Sequence, residues 1–330
     1  MSDRFEQLHI WAAEALHLRT LRLEPISVDA SFRRYFRIII GSRSYIVMDA
    51  PPPQEDCRPF VRIARLLKDA SVHVPEILAE DLARGFLLLT DLGQHSYLDV
   101  LKADNADALM TDAITTLIKW QQASQPEVLP AYDRPLLHRE LNLFLEWYVQ
   151  RHLNITLTDA EFGILEATFK LLEDNALAQP RVYVHRDYMS RNLMVSAPNP
   201  GVLDFQDAVY GPITYDLVSL FKDAFISWEQ LRVDAWRKQY WQLARQAGLT
   251  VQALPEFERA FDWMGLQRHL KVLGIFARIY YRDGKSGYLE DTPRFLNYVS
   301  ETGRLYKEFI PLLSLLDSIE SRARKAKVAT

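Results

Sequence analysis

Three oxygen-bearing side chains, Asp187, Asn192 and Asp204, lie within the single stretch 181–217. Phosphoryl transfer needs a carboxylate that orients the acceptor hydroxyl, and it needs oxygen ligands that hold Mg²⁺ against the nucleotide phosphates. Asp187 suits the first task, because it can accept the hydroxyl proton. Asn192 and Asp204 can offer an amide and a carboxylate oxygen to the metal. This spacing therefore predicts a phosphoryl-transfer site.

Short strands are expected to position these residues. Residues 181–184 read as a strand that enters a loop, 192–195 as a strand that leaves it, and 201–204 as a third strand that ends at the metal carboxylate. Asp and Asn also favour ordinary turns, so each residue by itself could be a turn residue. The string of His185 to Asn192, coupled to 204–207 at this distance, favours the catalytic interpretation.

The N-terminal part of the chain predicts a small antiparallel sheet. A helix over 3–18 precedes strands at 23–28, 35–40 and 44–48, and a hairpin follows at 74–80 and 85–90. A helix is predicted between them over 60–70.

Two features common in kinases are missing from this region. The loop 29–34 has no glycine to let backbone N–H groups close over phosphates, and the strand 45–49 has no lysine. Phosphates still need positive charge nearby. Arg33 and Arg34 are predicted to take the place of the missing lysine and glycines, since one arginine can bind two phosphate oxygens at once. The alternative is that both arginines are exposed residues at a sheet edge.

Five segments of the chain carry a resemblance to a known family: 31–37, 48–52, 185–192, 204–208 and 267–274. They resemble the aminoglycoside phosphotransferase and choline kinase family, over nearly the whole chain. The resemblance implies an α+β, protein-kinase-like fold of two lobes that uses ATP and Mg²⁺. The N-lobe, 1–91, would hold a small antiparallel sheet and the nucleotide. The C-lobe, 92–330, would be mainly helical and would carry the catalytic loop.

The resemblance also implies roles for further residues. The backbone at Leu89, Asp91 and Leu92 would form the hinge that pairs with adenine. Asp216 would support the catalytic loop through hydrogen bonds. Independently of the resemblance, Arg191 lies next to Asn192 and can reach the transferring phosphoryl group if it points inward, although it could equally be a surface arginine of the loop.

Helical patterns fill the remainder, with predicted helices over 107–122, 140–152, 162–172, 229–247, 255–283 and 293–322, the last broken at Pro311. The glycine at 274 indicates close approach of another backbone. Three residues in this part of the chain are candidates for binding the acceptor: Glu146, Asp207 and Arg268. Asp207 also suits a turn, and Trp147 beside Glu146 suits the core.

The expected acceptor also follows from the resemblance, which points to the amino-sugar kinases of this family. They would phosphorylate the anomeric hydroxyl of N-acetylmuramate or N-acetylglucosamine, and a nucleotidyltransferase would consume the α-1-phosphate. Two alternatives stay open. One is a kinase for an aminoglycoside, choline or homoserine, and the other is a nucleotide-binding pseudokinase, which the missing lysine and glycines favour.

Composition excludes several other classes. The 330 residues include 39 basic and 43 acidic side chains, a net charge of −4, so neither nucleic acid nor a membrane surface is an expected partner. A single cysteine, Cys57, rules out an internal disulfide framework and fits a reducing compartment. The first residues lack a sustained apolar run, so we expect a cytoplasmic protein.

Overall fold

The computed structural model describes residues 4–26 and 32–328. The chain divides into two units, one formed by Met1–Trp120 with Arg191–Ala208 and the other by Gln121–Ser190 with Val209–Thr330. Residues 27–31, which include the end of the first predicted strand and the start of the glycine-free loop, lie outside the described residues. The predicted boundary between lobes at 91 and 92 stays a prediction.

The strands of the described residues are β1 (Glu24–Pro25), β2 (Arg34–Ile40), β3 (Arg43–Asp49), β4 (Ile77–Asp81), β5 (Phe86–Thr90), β6 (Arg181–Val184), β7 (Leu193–Met194), β8 (Gly201–Val202) and β9 (Val209–Pro212). The helices are α1 (Arg4–Ala15), α2 (Arg58–Asp69), α3 (Tyr97–Val100), α4 (Ala106–Gln122), α5 (Arg134–Leu143), α6 (Asp159–Leu177), α7 (Tyr215–Phe221), α8 (Gln230–Gln246), α9 (Leu254–Asp283), α10 (Gly287–Glu290), α11 (Thr292–Gly303) and α12 (Ile310–Val328). A π-helix covers Phe144–His152, and 3₁₀ turns cover Ser190–Asn192 and Lys307–Phe309.

A five-stranded sheet forms the first unit's core, with the order β1-β2-β3-β5-β4 and antiparallel neighbours throughout. Phe36 and Ile38 of β2, Val47 of β3, and Phe86 and Leu88 of β5 lie on one buried face of this sheet, since residues two apart in a strand share a face. Helix α1 covers that face, where Leu8, Trp11 and Ala12 pack against Phe36 and Phe86. The predicted antiparallel sheet and its covering helix are confirmed.

Asp49, at the end of β3, is fully buried and holds two arginines. Arg4 of α1 donates to its Oδ1 at 3.0 and 2.6 Å, and Arg34 of β2 donates to its Oδ2 at 3.1 and 2.5 Å. A buried carboxylate needs such partners, because burial without them would cost several kcal/mol. This contact fastens α1 to the sheet.

The second unit is mainly helical and surrounds the long helix α9. Its hydrophobic core joins α9 to the π-helix, α6, α11 and α12, and Trp147 packs against it as a partly buried side chain, as predicted. Two strand pairs accompany the helices in the chain. In the second unit β6 pairs with β9, and in the first unit β7 pairs with β8.

Two helix predictions are corrected. The helix expected over 140–152 begins earlier, as α5, and its second half is the π-helix. The break expected at Pro311 lies instead at 304–306, between α11 and α12. Leu313 packs against Gly303, where a Cβ would lie 2.9 Å from its Cδ2. Pro311 is the second residue of α12, where a missing N–H is tolerated.

None of the helices within residues 4–26 and 32–328 combines the length and apolar character needed to cross a bilayer.

Gly274 of α9 makes the close backbone contact that its position predicted. A Cβ built there would lie 2.2 Å from the carbonyl carbon of Leu143 and 2.6 Å from the nitrogen of Phe144. The change from α5 to the π-helix occurs at these same two residues. No side chain can relieve this overlap, because the opposing atoms are backbone.

Gly274→Ala is therefore expected to lower the free energy of unfolding by about 1–3 kcal/mol, as overpacking does. Gly265→Ala, in the same helix, is the matched control, because its Cβ would meet nothing closer than 3.6 Å. Alanine's helix propensity should make that variant neutral or stabilised by up to about 1 kcal/mol. Urea unfolding of both variants checks the prediction, and equal midpoints would contradict it.

Candidate active site

The catalytic loop begins where β6 ends, and the buried carboxylate of Asp216 holds its first residues. The backbone N–H of His185 donates to Asp216 Oδ2 at 2.7 Å, and that of Arg186 donates to Oδ1 at 3.0 Å. Asp216 lies in the first turn of α7, a helix whose residues are all buried. The predicted support of the loop by Asp216 is confirmed.

Burial raises the pKa of the Asp216 carboxyl to about 6, although His185 and the two N–H bonds act in the opposite direction. The shift is large because the carboxylate has lost its contact with water, which favours the neutral form. His185 and the two backbone hydrogen bonds are then the interactions that favour the charged form.

The far end of the loop is held by a second buried carboxylate, that of Asp223. Ser190 donates to its Oδ2 from the backbone nitrogen at 2.8 Å and from Oγ at 2.6 Å. The other oxygen of Asp223 accepts the N–H of Phe225 at 2.8 Å. Sequence reasoning missed this residue. A usable signal was its position two helical turns after Asp216.

Arg186 directs its side chain into a buried charge network. Its backbone has a positive φ of 77°, an uncommon conformation for a residue other than glycine. The guanidinium donates to Glu140 Oε1 of α5 at 2.5 Å, and Lys271 of α9 donates to the same oxygen at 2.9 Å. The Tyr132 hydroxyl donates to the other oxygen of Glu140, and Lys271 also donates to the hydroxyl of Tyr215 at 2.8 Å.

These cations determine the ionisation of Glu140. Burial by itself would raise the pKa of its carboxyl, but Lys271, Arg186 and the Tyr132 hydroxyl lower it to about 2. The stabilisation from this network is present above the ordinary pKa of 4.5 and is lost only as the pH falls towards about 2. Burial lowers the pKa of Lys271, but Glu140, Tyr215 and Asp187 together more than offset this effect and raise it.

Asp187, the predicted catalytic base, presents a carboxylate that is 47% exposed. Its backbone N–H donates to His185 Nδ1 at 3.3 Å, and its carbonyl accepts the N–H of Met189 at 3.0 Å. Arg268, almost fully buried, places a guanidinium nitrogen 4.0 Å from Asp187 Oδ1 and donates from Nε to Ser219 Oγ at 2.6 Å. A reachable carboxylate on a fixed loop, with a cation behind it, suits proton acceptance from a bound hydroxyl.

The two predicted metal ligands are brought together by the short hairpin of β7 and β8. The N–H of Leu203 donates to the carbonyl of Asn192 at 2.9 Å, so Asn192 lies beside the residue that precedes Asp204. Asp204 has a positive φ of 62°, and its Oδ1 accepts from Gln206 Nε2 at 2.8 Å. Next to it, Phe205 packs on Phe60 of α2 at 4.7 Å between ring centroids.

An amide and a carboxylate oxygen are hard ligands that suit Mg²⁺, which usually takes only one or two protein ligands besides phosphates and water. The donor set at Asn192 and Asp204 therefore fits that ion. Within the residues described, no group of three or more His, Cys, Asp and Glu side chains forms a separate candidate metal centre.

The residues predicted to contact the nucleotide have different partners from one another in the structure. Arg34 is bonded to Asp49, as described above, whereas Arg33 forms an ion pair of 3.6 Å with Glu55. At the predicted hinge, Leu89 belongs to β5, and the Asp91 carboxylate accepts from Arg37 at 2.6 and 3.2 Å. The buried side chain of Leu92 packs beside Gly201. The adenine contact of this segment stays a prediction.

The predicted acceptor residues also stay predictions, and the structure gives their positions. Glu146 is exposed on the π-helix and lines a cavity of about 560 Å³. The other residues of that cavity are Arg134, Pro135, His138, Arg139, Asn142, Leu143 and Glu173. Asp207 is exposed in the turn that precedes β9, and Arg191 is partly buried in the 3₁₀ turn.

Comparisons with known proteins also indicate phosphotransferase chemistry. The phosphotransferase enzyme family matches residues 22–259. An N-acetylmuramate/N-acetylglucosamine kinase of Pseudomonas putida is 54% identical over 332 residues, which cover 97% of this chain and 98% of that protein.

Solved structures show a kinase-like fold. A choline kinase from Streptococcus pneumoniae matches with a TM-score of 0.65 at 13% identity, covering 91% of this chain and 100% of that one. A ternary complex of an aminoglycoside phosphotransferase with streptomycin and ATP matches with a TM-score of 0.61 at 15% identity, covering 92% and 99%.

Glu140→Gln is expected to destabilise the second unit by about 3–5 kcal/mol, because Arg186 and Lys271 would keep their buried charges without the shared carboxylate. The control is Glu308→Gln, whose partner Arg259 is half-exposed, and which should leave the unfolding midpoint nearly unchanged. Urea unfolding at pH 7 compares the two. A midpoint for Glu140→Gln equal to that of the control would refute the importance of the network.

The raised pKa of Asp216 predicts a specific pH dependence of stability. The folded carboxyl keeps its proton up to about pH 6 and an unfolded one only to about 3.8, so folding takes up a proton between these values. This group's contribution is fully present below pH 3.8 and is lost as the pH rises through 6. Its loss amounts to at most about 1.4 kcal/mol per pH unit.

Asp216→Asn removes this ionisation. Unfolding free energies of the wild type and the variant, measured every half unit from pH 4 to 7, should therefore diverge in slope between about 4 and 6. Parallel curves would show that Asp216 does not titrate in this range. The variant also replaces one acceptor of a backbone N–H by an amide donor, so we expect turnover to fall as well.

Proposed function

We propose, on the premise that this chain belongs to the phosphotransferase enzyme family, that it transfers the γ-phosphoryl group of ATP to the anomeric hydroxyl of N-acetylmuramate and N-acetylglucosamine. The observation that supports phosphoryl transfer is the half-exposed Asp187 carboxylate on a loop fixed by Asp216 and Asp223. The sugar acceptor is supported by the full-length likeness to the Pseudomonas putida kinase. ATP as donor is supported by the structural neighbour solved with ATP.

In this proposal Asp187 orients the anomeric hydroxyl and accepts its proton as the bond to phosphorus forms. A hemiacetal hydroxyl is more acidic than an ordinary alcohol, so a carboxylate is a sufficient base. Arg268 places a guanidinium nitrogen 4.0 Å from Asp187 Oδ1, so a positive charge lies beside that carboxylate. Arg268 remains a candidate for contact with the lactyl carboxylate of N-acetylmuramate. Glu146 and Asp207 remain candidates for contact with sugar hydroxyls.

Asn192 and Asp204 would hold Mg²⁺, which neutralises charge on the nucleotide phosphates when it is bound. Asn192 and Asp204 flank the hairpin of β7 and β8, which would hold these two ligands close together before the ion binds. Arg191, in the adjoining 3₁₀ turn, is proposed to contact the transferring group.

The product of this reaction is a sugar α-1-phosphate. Such a phosphate is the substrate type of nucleotidyltransferases, which therefore form the proposed next step. We propose that this reaction takes place in the cytoplasm and belongs to the recycling of cell-wall sugars.

Asp187→Asn should lower turnover by about a thousandfold or more, because the amide cannot accept the hydroxyl proton. The ATP dissociation constant should stay unchanged, since Asp187 acts on the acceptor. Asp159→Asn, an exposed aspartate at the start of α6, is the control with unchanged turnover. The assay is ATP consumption with N-acetylmuramate, N-acetylglucosamine, glucose, choline and kanamycin, followed by phosphorus NMR of each product.

An anomeric phosphate signal from the two N-acetyl sugars alone is the expected result. Consumption with another acceptor only would refute the proposed substrate and keep the kinase chemistry. Turnover of Asp187→Asn close to that of the wild type would refute the role of Asp187.

A further inference from the structure

The inner part of β3 lacks the cation that nucleotide phosphates require. Residues 45–49 hold one charged side chain, Asp49, which is negative and is bonded to Arg4 and Arg34. Arg34 donates two N–H groups to this carboxylate, so its guanidinium is already committed to the sheet. Another cation must lie near the predicted metal ligand Asp204 if the first unit is to bind a nucleoside triphosphate.

Arg33 is held in place by Glu55, a residue of the turn that precedes α2. Arg33 Nε lies 3.6 Å from Glu55 Oε2, and both side chains are mostly buried, with 14% and 19% exposed. The other oxygen of Glu55, Oε1, accepts the backbone N–H of Phe32 at 3.1 Å. One carboxylate thus forms an ion pair with the guanidinium and accepts a hydrogen bond from the backbone just before it.

The guanidinium of Arg33 lies in the electrostatic field of Asp204. Burial lowers the pKa of Arg33, but the charges of Tyr35, Asp204, Glu55 and Asp207 more than offset this and raise it. Helix α2, which follows Glu55, also contacts the residue next to Asp204, because Phe60 packs on Phe205 at 4.7 Å between ring centroids.

We propose that the Arg33–Glu55 pair replaces the missing strand lysine: Glu55 orients the Arg33 guanidinium beside Asp204, where it binds phosphate oxygens of the nucleoside triphosphate. Arginine suits the task because its planar N–H groups bind two phosphate oxygens at once. A side-chain donor of this kind also compensates for a preceding loop without glycine, which offers fewer close backbone N–H groups. This inference rests on the proposed function for its ligand, ATP.

The competing role for Arg33 is that of a counter-ion that only neutralises Glu55, Asp204 and Asp207. The two roles differ in what the loss of the guanidinium changes. If Arg33 binds phosphate, its loss weakens the affinity for ATP and ADP but not for adenosine. If Arg33 is only a counter-ion, its loss lowers the stability of the protein and changes the affinity for all three ligands equally.

The test is calorimetric titration of ATP, ADP and adenosine, with MgCl₂ and without acceptor, into the full chain. Arg33→Met should weaken ATP and ADP binding by about tenfold to a hundredfold, the range for a lost hydrogen bond to a charged group. Adenosine affinity should not change. Glu55→Gln should show the same ligand pattern with a smaller loss, and Arg33→Lys should fall between the wild type and Arg33→Met.

Arg58→Met is the matched control, since Arg58 forms an exposed ion pair with Asp56 in the same segment. It should bind all three ligands as the wild type does. Equal weakening of ATP and adenosine, or wild-type ATP affinity in Arg33→Met, would overturn the proposal, as would a wild-type chain that binds no ATP. If Arg33→Met does not fold, Arg33→Lys and Glu55→Gln decide by the same criterion. Because no acceptor is present, an error in the proposed sugar leaves these results unchanged.

Discussion

One buried carboxylate, that of Asp216, determines the shape of the catalytic loop by accepting two consecutive backbone N–H groups. Loop backbone without such partners would leave buried donors unpaired, and each would cost about 1–3 kcal/mol. The strained φ of Arg186 can persist only because these bonds overdetermine the conformation around it. Asp223 repeats the arrangement at Ser190, so both ends of the segment that carries Asp187 are fixed to the α7 region.

The same loop is also fixed by charge, through the side chain of Arg186. Glu140, on α5, and Lys271, on α9, join this arginine in one buried network, which connects three distant parts of the second unit. The attraction between the two cations and the carboxylate offsets the loss of hydration that each buried charge would suffer alone. This network requires α5 and α9 to lie close together. Gly274 permits that distance, because its lack of a side chain lets the two backbones touch.

In the first unit, the charged side chains around β3 differ from the usual kinase arrangement. β3 ends in Asp49, whose carboxylate accepts hydrogen bonds from Arg4 and Arg34. We therefore do not expect these two arginines to bind a ligand. Arg33, just before β2, forms an ion pair with Glu55, which precedes α2. Under the role proposed for Arg33, this residue supplies positive charge for the phosphates, and the missing lysine then does not by itself indicate a pseudokinase.

Local chemistry in the sequence was enough to predict the strand at 181–184 and most helices, because periodicity and turn preference act over a few residues. It also singled out Asp187, Asn192 and Asp204 as the proposed site residues. It also indicated the loop-supporting role of Asp216 and the close contact at Gly274. The tertiary structure alone decided the partners of these residues. Ser190 and Asp223 are 33 residues apart, and Glu140 and Lys271 are 131 apart, so no local pattern pairs them. The π-helix and the early end of α11 were likewise decided by packing, since the energy of close contact between helices overrides the preference of a single proline or of a regular helical repeat.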